Sequence, residues 1–127
     1  MTIDAGKNAM LEPWDTLFRS AAEIASVPLS QNAGSLEGRI ARLLMVTADM
    51  QCSEIQMEKG VREDVHTHHD HSVIGCLLSG RLRLVIGMET FDAAPGDVWM
   101  HPQGAPHRVE ALENSLYLEV KSPALPS

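Results

Sequence analysis

Residues 73–87 read VIGCLLSGRLRLVIG. The first half is an apolar run ending on Gly80, and the second alternates Arg81 and Arg83 with Leu82 and Leu84. A side-chain period of two belongs to a β-strand, whose successive Cβ atoms point to opposite faces. Two such runs joined at a glycine are two strands with a turn between them. Arg81 and Arg83, at alternate positions, lie on an outward face.

The same rhythm continues in both directions. Upstream, EGRIARLLMVTA (37–48) and QCSEIQMEKG (51–60) are strands, the latter setting Cys52, Glu54 and Gln56 against Ser53, Ile55 and Met57. Downstream, METFDAAPGD (88–97) gives a short strand and a Pro-Gly turn. VWMHPQGAPHRVEA (98–111) gives two strands around a Pro/Gly corner, and NSLYLEVKS (114–122) alternates Leu116, Leu118 and Val120. About eight or nine short strands at close spacing predict an all-β barrel or sandwich rather than βαβ units. Ahead of them, PWDTLFRSAAEIA (13–25) places Trp14, Leu17, Phe18, Ala21 and Ile24 on one stripe of a short helix. VPLSQNAGS is loop. The expected organisation is an N-terminal segment with a short helix (1–34), a barrel (35–122) and a tail (123–127).

Composition narrows the function. A chain of 127 residues forms one domain with a single core. Its net charge of −7 and lack of any basic run argue against a nucleic-acid surface. MTIDAGKNAM has neither the charged nor the apolar region of a secretory signal, and no apolar run approaches the roughly 20 residues of a membrane helix. Cys52 and Cys76 form no CxxC pair and read as thiols in a reducing compartment, so a cytoplasmic location is expected. Aromatics are few, so Met45, Met50, Met57, Met88 and Met100 are expected to fill space between sheets, and Trp14, Phe18 and Trp99 to serve as core or dimer contacts.

Four of the six histidines fall within HTHHDH, residues 66–71. On a strand His66 and His68 share a face and converge, and imidazole suits borderline divalent metals. HPQGAPH (101–107) supplies His101 and His107 from a tight corner. If the strand is regular, His71 shares the face of Val73, Gly75 and Leu77; an irregular loop would turn His69 or Asp70 inward instead. Glu63 and Asp64 read as solvated turn residues, or as partners of a histidine N–H.

Gly60-x5-His66-x-His68 followed by Gly80 is similar to the first motif of the cupins, and Gly96-x5-Pro102-x-Gly104-x2-His107 is similar to their second. The resemblance implies a double-stranded β-helix, or jelly roll, and one divalent metal (Zn, Ni, Fe, Mn or Cu) on His66, His68, His107 and a fourth group. The family's usual glutamate position is occupied by Val73, so His71 is the expected replacement. His101 is expected to line the pocket and act in catalysis. The chain also looks like the small cupins that process unsaturated uronic acids, which implies Lewis-acid chemistry on a sugar-acid-like molecule and a homodimer. Cys76 stands in place of that group's tyrosine, and no inward carboxylate is evident as a base. A non-catalytic ligand-binding or sensing barrel and a metal-dependent dioxygenase are the competing readings.

Overall fold

The computed structural model describes residues 13–25 and 37–124. One short helix, α1 (Ala21–Ala25), precedes eight strands: β1 (Arg39–Val46), β2 (Gln51–Met57), β3 (Ser72–Ser79), β4 (Leu82–Ile86), β5 (Glu89–Ala93), β6 (Val98–His101), β7 (His107–Ala111) and β8 (Ser115–Ser122). They form a five-stranded sheet, β1-β2-β8-β3-β6, and a three-stranded sheet, β5-β4-β7. All pairings are antiparallel. The last strand lies between β2 and β3, the crossing connectivity of a jelly roll. Residues 60–66 extend the smaller sheet past β7, through Ala111 N–H to Val61 O (2.9 Å), Glu63 N–H to Val109 O (3.0 Å) and a bridge between His66 and His107.

Register stacks the inward side chains in rows. The row Gln51–Lys121–Val73–His101 crosses β2, β8, β3 and β6, and the next holds Ser53, Glu119, Gly75 and Trp99. Beyond it come Ile55, Tyr117 and Leu77. The smaller sheet has the same gradient, from Ile86 and His107, through Leu84 and Val109, to Leu82, Ala93 and Ala111. One end of the barrel is therefore polar, and the other holds the apolar core of Ile55, Met57, Leu77, Leu82, Leu84, Val109 and Tyr117.

Two glycines are dictated by geometry. Gly80 turns β3 into β4 at φ +93°, a region closed to most side chains. Gly75 lies under the Trp99 indole, where an added Cβ would sit 2.3 Å from a ring atom.

The N-terminal helix is shorter than the apolar stripe predicts. Leu17 and Phe18 are 98% and 75% exposed, so that stripe buries nothing at their positions. Trp14 N–H donates to Val46 O (3.1 Å), and Arg19 donates to Leu44 O (2.8 Å) while its guanidinium covers the Trp14 ring at 5.0 Å. These contacts tie residues 14–19 along the end of β1. Ser20 and Glu23 then cap each other's backbone N–H groups, a capping box that starts the helix at Ala21. The methionine expectation also fails in part. Met57 is buried, whereas Met50, Met88 and Met100 are exposed on outward positions.

Candidate metal centre

His66 and His107 exchange both backbone hydrogen bonds, at 3.0 and 2.9 Å. Residues opposed in this way project side chains from the same face, and the two rings meet at 4.4 Å. His68 follows two residues later, its carbonyl accepting Gly104 N–H at 2.7 Å. Gly104, at φ +86°, thus ties the HPQGAPH corner to the first histidine pair. One ring nitrogen from each of His66, His68 and His107 lies within 4.8 Å of the others. Among the described residues these three are the group that converges in this way.

The tautomers follow from the partners. Asp64 O lies 2.8 Å from His66 Nδ1, and Ala105 O lies 3.0 Å from His107 Nδ1. A carbonyl only accepts, so both Nδ1 atoms carry hydrogen and both Nε2 atoms offer a lone pair. Burial, then neighbouring imidazoles, depress the His68 pKa to about 3, and the same causes depress that of His101 to about 3. His107 is also lowered, chiefly by burial. These rings stay neutral at ordinary pH, the form in which imidazole ligates a metal.

His71 is buried on the face of Val73, Gly75 and Leu77, its ring 4.2 Å from His68. Its Nδ1 is bonded to the Asp70 carboxylate at 2.8 Å, while its Nε2 is buried with no partner. His101 stacks on His107 at 3.9 Å, and its Nε2 is likewise buried and unpartnered. His69 is exposed, and its carbonyl accepts from the Gln103 amide. Three converging imidazole nitrogens beside two orphaned ones suit a borderline divalent cation, and the Nδ1–H to carbonyl bonds are the outer contacts that orient metal-bound histidines.

Sequence reasoning missed the polar lining beneath the histidines. Glu63 is no solvated turn residue. It ion-pairs with Arg39 at 3.4 Å and accepts Val109 N–H at 3.1 Å, and its pKa is raised by burial despite Arg39. Glu119 and Lys121 are inward and buried, so the interior does contain carboxylates. The Lys121 pKa is lowered by burial, against the opposing pull of Glu119, and its charge reaches His68. Alternation in NSLYLEVKS marks two faces without saying which is inside. Leu116, Leu118 and Val120 take the outer one, and Ser115, Tyr117, Glu119 and Lys121 the inner. Cys76 faces outward and is absent from this lining.

A cleft of 630 Å³ opens between the β5 and β6 edges, walled by Leu84, Ile86, Phe91 and Trp99. It has no histidine in its lining. It adjoins the polar end through Ile86, which pairs with His107, and Met100, which precedes His101.

The Cupin domain family profile matches residues 53–120, more than half of the chain. The chain is a cupin. Solved structures agree on the fold. KdgF from Halomonas sp. superposes with a TM-score of 0.72 at 23% identity, covering 78% of this chain and 88% of that one. An RmlC-like cupin from Shewanella frigidimarina NCIMB 400 gives 0.75 at 18% identity, covering 87% and 93%. A variant of Bacillus subtilis oxalate decarboxylase gives 0.67 at 20% identity, with 80% of this cupin matching 28% of that chain. Comparison with curated proteins finds no match. No helix among the described residues is long and apolar enough to cross a membrane.

Proposed function

We propose that this cupin holds one divalent transition metal (Zn, Ni, Fe, Mn or Cu) on His66, His68 and His107, with His71 as fourth ligand, and acts on a small sugar-acid-like molecule. The observation that carries the reading is the convergence of three lone-pair nitrogens above a buried floor of mixed donors and acceptors. Gln51, Ser53, Glu119 and Lys121 make that floor, and Gln51 Oε1 is buried in it without a partner, which is costly unless a ligand supplies a donor. Bound there, the ion supplies Lewis acidity, polarising an oxygen of the ligand. His101, whose Nε2 is buried without a partner, is the residue we assign to proton transfer. In the opening of a cyclic sugar acid it takes the proton of the anomeric hydroxyl as the carbonyl forms and the ring C–O bond breaks. The imidazolium then returns that proton to the ring oxygen, so atoms and charge balance without an oxidant.

The test starts with elemental analysis of untagged protein. About one metal per chain, followed by ring opening of an unsaturated uronic acid seen by NMR, supports the enzyme. Binding shifts without turnover identify a sensing barrel, and oxygen uptake by an iron-loaded protein identifies a dioxygenase. A homodimer is part of the same reading, supported by exposed Ile74, Leu78, Val98 and Met100 on the outer face of the larger sheet. A reducing, cytoplasmic location is supported by the two free thiols, Cys52 and Cys76.

A further inference from the structure

We infer that Gln51 and Lys121 form a clamp for a hydroxy-carboxylate, reading the acid group and an adjacent hydroxyl of the ligand together. This deepens the reading above and rests on it for the identity of the pocket.

Gln51 and Lys121 are direct cross-strand partners on β2 and β8, and both face inward. Partners so opposed stand about 5 Å apart at Cα, with side chains emerging on one face. Gln51 is 1% exposed. Its amide nitrogen donates to Ser53 Oγ at 3.3 Å, which fixes the amide with Oε1 as the remaining acceptor, and that Oε1 is buried without a partner. An orphaned buried carbonyl is costly, so the site is built for a donor that arrives with the ligand. A hydroxyl provides one.

Lys121 contributes an ammonium with three donor hydrogens. Burial disfavours its charge most and Arg39 adds to that, while Glu119, Asp70 and Glu63 favour it. The ammonium asks for an anion, and Gln51 Oε1 asks for a donor. A carboxylate on Lys121 with its neighbouring hydroxyl on Gln51 Oε1 meets both requirements. His101 ends the same row, with Val73 between it and Lys121.

The clamp predicts discrimination that a simple cation pocket lacks. Calorimetry on metal-loaded protein uses D-galacturonate and D-galactose, which differ in the acid group. Wild type should prefer galacturonate. Lys121→Met should lose about tenfold or more in galacturonate affinity, leave galactose unchanged, and keep its metal. Lys121→Arg, which retains charge, should recover part of the loss. Gln51→Leu should weaken both sugars, because the hydroxyl contact is common to them. Equal galacturonate affinity in wild type and Lys121→Met overturns the clamp, as does an equal loss for both sugars. Should Lys121→Met not fold, Lys121→Arg and Gln51→Leu decide alone: unchanged galacturonate binding in both overturns it. Metal content separates the two levels. One metal per chain without galacturonate preference removes the clamp and leaves the metal centre standing. No metal uptake removes the centre and the clamp with it.

Discussion

At the residue scale, His66, His68 and His107 are legible in sequence because spacing fixes them: two residues apart on extended chain, and one after a Pro/Gly corner. Their outer contacts are not, since Asp64 O and Ala105 O are backbone atoms with no sequence signature. His107→Ala removes a converging nitrogen and is expected to reduce bound metal to below about a tenth per chain, whereas His71→Ala should weaken binding without abolishing it. Elemental analysis after dialysis against a chelator checks both. If His107→Ala retains full metal, the ion lies elsewhere. A bound ion stabilises only the folded barrel, so stripping it from wild type should lower the melting temperature and leave His107→Ala unchanged. The depressed His68 and His101 pKa values set a pH dependence with a definite sign. Above the usual imidazole value of 6.5 both folded and unfolded chains are neutral at these positions. Between 6.5 and about 3 the unfolded chain binds protons that the barrel refuses, so stability falls as pH falls. Metal-free melts by circular dichroism from pH 7 to pH 4 should show this decline, shallower in His101→Asn; a flat profile counts against neutral buried rings.

At the element scale, strand positions followed from alternation, turns from glycine and proline, and the two motifs from their spacing. The face each strand turns inward did not always follow. In β2 apolar Ile55 and Met57 marked the inner face. In β8 the apolar set lies outside, because the inner positions serve a polar pocket and the pattern is symmetric to inversion. The helix was overread for a related reason: Leu17 and Phe18 have helical spacing but no core to meet, and backbone bonds to β1 hold that segment instead. Gly75 tests whether packing between elements is as tight as described. Its missing side chain admits the Trp99 ring between β3 and β6. Gly75→Ala forces the indole away and should destabilise by about 1–3 kcal/mol, measured by urea unfolding. An unchanged midpoint would mean that Trp99 relaxes freely and that the row is loosely packed.

At the scale of the whole molecule, alternation that turns Gln51, Lys121 and His101 inward must turn Cys52, Val120, Ile74 and Met100 outward. The larger sheet is thus polar inside at its histidine end and apolar outside. Ile74 pairs with both Val120 and Met100, and Cys76 with both Leu118 and Val98, so the outer residues form one continuous patch across β8, β3 and β6. Single exposed apolar residues are ordinary on a soluble protein, but a contiguous face of them marks an interaction surface. A second copy would present the same face, and a two-fold axis through it would bury both patches in one isologous contact. The proposed homodimer therefore makes a sharp prediction. Wild type should sediment at twice the chain mass at micromolar concentration, and Ile74→Asp, a charge at the patch centre on a side chain 56% exposed in the single chain, should sediment as a monomer. Because Ile74 points away from the barrel interior, the variant should keep its metal content, which separates lost association from lost folding. Wild type running as a monomer across the concentration range would show that a second copy does not cover this face.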